Sequence, residues 1–282
     1  VAELDARAAR RRFDRAAATY GKAAYLEREV GRRMLERLDV VRLAPARILD
    51  AGAGPAPQAA ALARRFPGAR LVALDFSLPM LARARAAAGW LASLRGRAPL
   101  ALCGALERVP LAPGSVQLVW SNMALHWAAD GRAALAELAR VLEPGGLLMF
   151  STLGPDTLKE VREALGEAHV HRFADMHDLG DELGAAGFAA PVMDMEMITL
   201  TYREPLGLAA DLRASGQTLA RRDRARGLAP RALRKALEAA GVSVSIEVVY
   251  GHAWKGVPRT ASDGRSIVHF ERRTLPAAAK LC

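Results

Sequence analysis

Apolar and polar positions alternate in two textures over the first 150 residues of the chain. Short apolar runs rich in β-branched residues predict strands, and longer runs rich in Ala, Arg and Leu repeat their apolar positions with helical spacing. The predicted strands are 47–50, 70–75, 100–103, 116–120 and 147–152, and the predicted helices are 57–66, 78–88 and 132–142. Strands that alternate with helices in this way predict right-handed crossovers and a parallel sheet covered on both faces.

The rhythm loosens after residue 153. We predict a partly helical excursion over 154–173, a helix over 176–186, a strand over 192–202, helices over 205–216 and 230–240, and a last strand over 243–250. Each of the last two helices opens with proline, which the first turn of a helix accepts. The expected fold class is therefore α/β, a Rossmann-like, mostly parallel sheet of seven strands with a helical insertion before the last strand.

These elements define one domain over residues 1–255. It begins with a helical segment over 1–45 and contains a basic helical insertion at about 204–241. A tail of mixed composition follows over 256–282.

Composition excludes several classes of protein. The chain is 51% hydrophobic, which is typical of a folding chain rather than a disordered one. Its longest apolar runs are strand-sized and residues 1–12 have no apolar core, so we expect neither a membrane span nor a secretory signal. Cys103 and Cys282 alone cannot build a disulfide framework and suit a reducing compartment. We expect a cytoplasmic protein.

The net charge is +10, from 40 basic and 30 acidic residues, and only five of the basic residues are lysine. Scattered arginines without interleaved aromatic residues favour a genomic coding bias over nucleic-acid binding. The charge is concentrated over residues 214–234, which indicates either an acidic protein partner or a solvated helix.

The strongest chemical signal is a strand that ends in Asp50-Ala51-Gly52-Ala53-Gly54. Glycine there lets the backbone turn sharply and approach a ligand, although a tight turn without a ligand needs the same residues. Asp75 ends the next predicted strand, 25 residues after Asp50. Both acids then lie at the carboxyl edge of the sheet, where a carboxylate can accept hydrogen bonds from a ribose. The pattern predicts a nucleoside site.

The third glycine of a dinucleotide site is absent, because Gly54 is followed by Pro55-Ala56-Pro57-Gln58. The Asp50-x-Gly52-x-Gly54 pattern instead resembles the first motif of class I S-adenosylmethionine-dependent methyltransferases. The resemblance implies S-adenosyl-L-methionine as the cofactor, with the loop backbone at its methionine part and the second acid at its ribose. The cofactor-binding residues that it implies are Asp50, Gly52, Gly54, Asp75, Phe76, Met80, Leu106, Ser121 and Asn122.

The resemblance extends along nearly the whole chain and points to the malonyl-[acyl-carrier protein] O-methyltransferase family. Its more restricted runs are Trp120-Ser121-Asn122, Phe150-Ser151-Thr152-x-Gly154-Pro155-Asp156-Thr157-Leu158 and His169-x-x-Arg172-Phe173. That family methylates a free malonyl carboxylate early in biotin synthesis. The resemblance therefore implies an acyl-carrier protein carrying a malonyl group as substrate and partner.

Attack of a carboxylate on a sulfonium methyl needs no general base, so catalysis depends on positioning and desolvation. Arg172 is our candidate for holding the carboxylate, since its planar fork matches that group, and it is otherwise expected to be a solvated surface arginine. Tyr20 is expected to close over the cofactor or donate to the substrate, and otherwise to pack. His126 is expected to hydrogen-bond the substrate, and otherwise to make a local structural bond. We expect no metal site, since the histidines lack further ligands at zinc spacings.

Five positions depart from the family pattern. Ala53 replaces a usual cysteine, Ala56 a usual glycine, Ala105 an acid that accepts from the adenine amino group, Gln117 a frequent aspartate and His126 a common glutamine. Loss of one charge-assisted bond costs about 1.5 to 3 kcal/mol. These departures keep two alternatives open, namely a methyltransferase for another small carboxylate or a quinone, and a catalytically impaired assembly factor with the same fold. A coenzyme A thioester also stays open as the substrate.

Overall fold

The computed structural model describes residues 4–94, 98–204, 206–224, 235, 238 and 243–257, without the side chains of 90–94. Seven strands of this part of the chain form one sheet. They are β1 Arg47–Ala51, β2 Arg70–Asp75, β3 Leu100–Cys103, β4 Val116–Asn122, β5 Leu142–Leu153, β6 Phe188–Thr201 and β7 Ser243–Lys255. Their order is β3-β2-β1-β4-β5-β7-β6, and only β7 runs antiparallel to its neighbours. The expected α/β class and mostly parallel sheet are confirmed.

Nine α-helices surround this sheet within the described residues. They are α1 Ala6–Ala16, α2 Tyr20–Ala23, α3 Tyr25–Leu38, α4 Ala59–Arg65, α5 Leu78–Leu94, α6 Gly131–Val141, α7 Lys159–Leu165, α8 Met176–Ala185 and α9 Gly207–Ala214. Short 3-10 turns cover Leu125–Trp127 and Glu167–His169. None of these helices is both long and apolar enough to cross a membrane.

Side-chain caps explain where several helices begin. Asp5, Asp130 and Asp175 each precede a helix and accept a hydrogen bond from a backbone N–H of its first turn. Such a cap satisfies one of the donors that the first turn leaves unpaired, typically worth about 1 kcal/mol. In α5 the backbone leaves the helical region at Gly89, directly after the predicted end at residue 88.

The core lies on both faces of the sheet because successive strand residues point to opposite sides. On one face, Ile48 and Leu118 pack in a cluster with Met34 of α3. On the other, Leu49 packs in a cluster with Leu138 of α6. The helical N-terminal segment thus covers one face of the sheet.

Several boundaries differ from the sequence prediction. Strand β5 begins at Leu142, not at 147, because the chain pairs through the Pro-Gly-Gly turn with a register shift opposite Val116 and Leu118. In addition, β6 begins four residues earlier and β7 ends five residues later than predicted. The predicted helix over 205–216 is α9. The predicted helix over 230–240 lies outside the described residues, apart from 235 and 238.

Candidate active site

The loop after β1 brings two glycines to the carboxyl edge of the sheet, and both have a positive φ, +76° at Gly52 and +55° at Gly54. A Cβ atom at Gly52 would lie 2.2 Å from the Cβ of Ala124, whereas a Cβ at Gly54 would meet nothing within 4 Å. The first glycine is therefore required by close packing as well as by its backbone conformation. The second faces open space.

Asp75, at the end of β2, holds this loop in place. One carboxylate oxygen accepts from the N–H of Gly54 at 2.8 Å, and the other accepts from the N–H of Ser77 at 2.7 Å. Burial raises the pKa of Asp75 to about 6 against the lowering effect of these two bonds. Each oxygen keeps a further lone pair with which to accept from a ligand.

Asp50, at the end of β1, is a buried acid with an unsatisfied oxygen. Its Oδ2 has no hydrogen-bond partner in the described part of the chain. Burial, and then the charge of Asp75, raise the pKa of Asp50 to about 8. A positively charged ligand beside Asp50 would favour loss of its proton, so binding of such a ligand is linked to ionisation of Asp50.

A cavity of about 590 Å³, the glycine-loop cavity, opens beside these groups. Seven of the nine predicted cofactor-binding residues line it: Gly52, Gly54, Asp75, Phe76, Met80, Leu106 and Asn122. Tyr20 lines it as well. The pKa of this half-buried phenol is raised well above its usual 10 by desolvation, and then by the charges of Glu27, Asp75 and Asp50, so it is a neutral hydrogen-bond donor.

A second cavity of about 770 Å³, the insertion cavity, lies on the other side of Trp127, which lines both. Its walls come from the start of α3, from the turn after β4, from the excursion after β5 and from the insertion that carries α9. Aromatic rings pack edge to face along it, with centroids 5.6 Å apart for His126 and Phe173 and 5.1 Å apart for Trp127 and His171. The insertion cavity is thus lined largely by apolar and aromatic groups.

His126 lines the insertion cavity with one ring nitrogen engaged and one unpaired. Its Nδ1 lies 3.2 Å from the Oγ1 of Thr152, and its buried Nε2 has no partner among the described residues. Burial, and then the charge of nearby His171, lower the pKa of His126 to about 3. At neutral pH the ring is therefore an uncharged group that can bind a polar ligand atom.

Three predicted site residues line neither cavity. Asp50 lies beneath the glycine loop, and the Ser121 hydroxyl donates to the carbonyl of Ala51 at 2.9 Å, which ties β4 to β1. Arg172 is exposed between His171 and Phe173, two residues that do line the insertion cavity. Arg172 thus adjoins this cavity along the chain, at the surface, and is not part of its described wall.

The segment over residues 217–221 ties together the parts of the chain that surround the insertion cavity. Arg12 of α1 donates to the carbonyl of Thr218 at 2.7 Å, and the N–H of Ala220 donates to Nε2 of His171 at 3.1 Å. Arg221, only 2% exposed, pairs with Asp223 and donates to two carbonyls of the excursion. This arginine of the predicted basic insertion is therefore structural rather than part of a solvated charged surface.

None of the family departures Ala56, Ala105 and Gln117 lines either cavity, although Ala105 stands between Gly104 and Leu106, which line the glycine-loop cavity. Gln117 bonds the backbone of Arg47 and the side chain of Glu143. Glu107 does line the glycine-loop cavity, while its Oε1 accepts from the N–H of Ala129 at 2.5 Å.

Sequence reasoning missed the acidic side chains of the insertion cavity, Glu27 and Asp211. Glu27 has a signal that could have been found, because it shares the spacing of the buried positions Val30, Met34 and Leu38 on one face of α3. Asp211 lies on a short helix far along the chain, and no local pattern marks it.

Comparison with known proteins agrees with this geometry. Residues 49–150 match the family model described as "Methyltransferase domain". The YcgJ protein of Bacillus subtilis has a similar fold, with a TM-score of 0.57 at 18% identity over 81% of this chain and 98% of its own.

Two curated relatives match over almost their full lengths, and both are named "Malonyl-[acyl-carrier protein] O-methyltransferase". The relative from Methylovorus sp. (strain MP688) is 47% identical over 96% of each chain. The relative from Laribacter hongkongensis (strain HLHK9) is 49% identical over 92% of this chain and 93% of its own. Similarity of this extent shows that the chain is a methyltransferase and belongs to the malonyl-[acyl-carrier protein] O-methyltransferase family.

Proposed function

We propose that the chain transfers a methyl group from S-adenosyl-L-methionine to the free carboxylate of a malonyl group on acyl-carrier protein, forming the methyl ester early in biotin synthesis. The observation that carries this proposal is the pair of cavities that meet at Trp127, one beside the glycine loop and one beside the excursion. Such a pair suits a nucleoside cofactor and an acyl substrate whose reacting atoms must approach each other. The names of the full-length relatives support this choice of substrate.

The residues of the glycine-loop cavity fit the proposed cofactor. The open space at Gly54 lets a ligand approach the backbone, and the Asp75 carboxylate can still accept from a ribose. The unpaired oxygen of Asp50 suits a cofactor that carries ammonium and sulfonium charges. When bound, S-adenosyl-L-methionine supplies an electrophilic methyl group that a carboxylate oxygen accepts without a general base.

On the substrate side, the insertion cavity would exclude water and orient the carboxylate. A desolvated carboxylate is a stronger nucleophile, and the ring cluster around His126 and Phe173 provides an apolar surrounding. The free Nε2 of His126 can bind the substrate, and Tyr20 can donate from the neighbouring cavity. Arg172, which adjoins this cavity along the chain, would bring a positive charge to the incoming carboxylate.

The surface near the cavities supports an acidic partner. Helix α1, which contributes Phe13 to the glycine-loop cavity, exposes four arginines on its outer side. They are Arg7, Arg10, Arg11 and Arg15. Arg222 of the insertion is also exposed, whereas Arg226, Arg231 and Arg234 lie outside the described residues. A positive surface of this kind would steer an acidic carrier protein to the site, in the cytoplasm by our reading of the cysteine content.

Mass spectrometry of the purified chain incubated with S-adenosyl-L-methionine and malonyl-carrier protein tests the proposal. We expect a product heavier by one methyl group, slower reaction with malonyl-coenzyme A, and none with free malonate. Equal rates with all three substrates would instead favour a methyltransferase for other small carboxylates. Calorimetry that detects no cofactor binding at millimolar concentration would favour the catalytically impaired alternative.

A further inference from the structure

Glu27 is a buried carboxyl group at the junction of the two cavities, and the proposed mechanism does not use it. It is 4% exposed, and it lines the insertion cavity from the first turn of α3. Its backbone carbonyl accepts a hydrogen bond at 2.8 Å from the Nδ2 of Asn122, a residue that lines the glycine-loop cavity. The end of β4 therefore fixes Glu27 beside the place where the two ligands would meet.

No cation neutralises this carboxyl group within the described part of the chain. Among the described residues, no lysine or arginine lines the insertion cavity. The adjacent Arg28 is exposed, and it donates to the carbonyl of Gly21 at 2.6 Å. Within the described residues, the Glu27 carboxyl accepts a hydrogen bond from its own backbone N–H and forms no ion pair with a side chain. An ionised Glu27 would thus be a buried, unpaired charge, which is strongly unfavourable.

The pKa of Glu27 is raised mainly by its burial and not by the charges around it. Burial raises the pKa of Glu27 to about 7 against the lowering effects of a hydrogen bond from its own backbone N–H and of the Arg28 charge, and Asp211 of α9 raises it to a smaller extent. The other titratable groups on the elements packed around it are Tyr20, Tyr25, Tyr202, His126, His169 and His171. The three tyrosines have raised pKa values, and the pKa values of His126 and His171 are lowered to about 3 and 4, so these five are uncharged at neutral pH.

We propose that Glu27 is a substrate-binding residue whose protonated carboxyl donates a hydrogen bond to the carboxylate of the substrate. One substrate oxygen accepts that bond, and the other is free to accept the methyl group. The inference rests on the proposed function, and it explains how a cavity without a described lysine or arginine in its wall can take an anion.

The hydrogen bond between Glu27 and the substrate involves no proton transfer. A carboxyl next to a thioester carbonyl is a stronger acid than Glu27, so the proton stays on Glu27 throughout. Ionised Glu27 would repel the substrate carboxylate, and binding of the anionic substrate is therefore linked to a proton on Glu27. The neutral ester is a weaker acceptor than the carboxylate, which favours release of the product.

The test is the KM for malonyl-carrier protein between pH 6 and 8.5 in the wild type, Glu27→Gln and Glu27→Ala. In the wild type we expect KM to rise about fivefold from pH 7 to pH 8, as Glu27 loses its proton. In Glu27→Gln the amide N–H replaces the acid as donor, so KM is low and flat over this range while kcat is retained. In Glu27→Ala the donor is lost, and KM is flat and about tenfold to a hundredfold higher than in the wild type at pH 6.5.

Glu29→Gln is the matched control, because Glu29 lies on the same helix but pairs with Arg32 and Arg33 at the surface. It should keep the wild-type pH profile. Thermal unfolding and calorimetric binding of S-adenosyl-L-methionine check that each variant is folded, and Glu27→Gln alone decides the question if Glu27→Ala does not fold.

The inference is overturned if Glu27→Gln keeps the pH dependence of the wild type, or if a folded Glu27→Ala has an unchanged KM. A wild type that methylates malonyl-carrier protein with a flat KM would overturn the inference alone. Absence of methyl transfer at every pH would overturn the proposed function and, with it, this inference.

Discussion

The two cavities that meet at Trp127 are built in different ways. The glycine-loop cavity is formed by the ends of neighbouring parallel strands, with Gly52 after β1, Asp75 at the end of β2 and Asn122 at the end of β4. The insertion cavity gathers residues that are distant in sequence, from Glu27 in α3 to Ile246 in β7. A site made from strand ends is a property of the fold, whereas a site made from insertions can differ between relatives of the same fold.

The ionisable groups around the two cavities also differ. The glycine-loop cavity lies beside two buried acids, Asp50 and Asp75, and therefore favours a positively charged ligand. The described wall of the insertion cavity also has two acids, Glu27 and Asp211, but it adds the rings of His126 and His171, which are uncharged at neutral pH. This difference suits a cationic methyl donor on one side and an acyl substrate on the other.

The largest expected effect separates the two glycines of the loop. Gly52→Ala should destabilise the fold by about 2 to 5 kcal/mol, because it combines backbone strain at φ +76° with a Cβ only 2.2 Å from Ala124. Gly54→Ala should cost only about 1 to 2 kcal/mol, from backbone strain, but should weaken cofactor binding because its Cβ enters the cavity. Urea unfolding and calorimetry measure both, and equal losses of stability would contradict the assigned roles.

The next largest effect is expected for Arg172, beside the insertion cavity. Arg172→Ala should lower turnover of malonyl-carrier protein by about a hundredfold or more, because the incoming carboxylate loses the positive charge beside the cavity, while cofactor affinity is unchanged. Arg132→Ala is the control, since this exposed arginine pairs with Glu182 at the surface. Unchanged turnover in steady-state kinetics would remove Arg172 from the site.

A substitution inside the insertion cavity should have a somewhat smaller effect. His126→Phe keeps a ring that can pack against Phe173 but lacks the free Nε2. We expect kcat/KM to fall about tenfold to a hundredfold, as for loss of one hydrogen bond to a charged group, with unchanged cofactor affinity. His177→Ala, at an exposed histidine, should behave as the wild type. A loss of cofactor affinity in His126→Phe would show that the two cavities are not separate in function.

The smallest effect concerns the acids of the glycine-loop cavity. The pKa of Asp50 is raised from 3.8 to about 8, so the folded chain keeps a proton that the unfolded chain has lost. Stability of the cofactor-free chain should therefore fall by about 1 kcal/mol between pH 7 and pH 8 from this group. Asp50→Asn should flatten this slope in urea unfolding experiments. Parallel slopes would show that Asp50 does not carry the effect.

Much of the glycine-loop cavity could be predicted from the sequence because its information is local. A strand pattern followed by Asp50-x-Gly52-x-Gly54, with Asp75 at the end of the next strand, is readable from residue type and spacing. In parallel strands these ends must lie at one edge of the sheet. Most of the predicted cofactor-binding residues accordingly line one cavity.

The insertion cavity could not be predicted in this way because its residues meet only through long-range packing. Arg221 looked like part of a basic surface, yet it is buried against Asp223 and the excursion. Conversely, Glu27 looked like an ordinary helical acid and is buried at the junction of two cavities. Which side of a helix is covered depends on what packs there, and the local pattern only restricts the choice.

The sequence by itself determined the order of strands and helices, the glycine loop, the two acids at the strand ends and the family, because these depend on residue type and short spacing. Only the tertiary structure decided that a second cavity adjoins the first, that Arg172 is exposed and not part of its described wall, and that a carboxyl group without a cationic partner lies between the two cavities. The physical reason is that burial and charge compensation depend on groups from every element that surrounds a site.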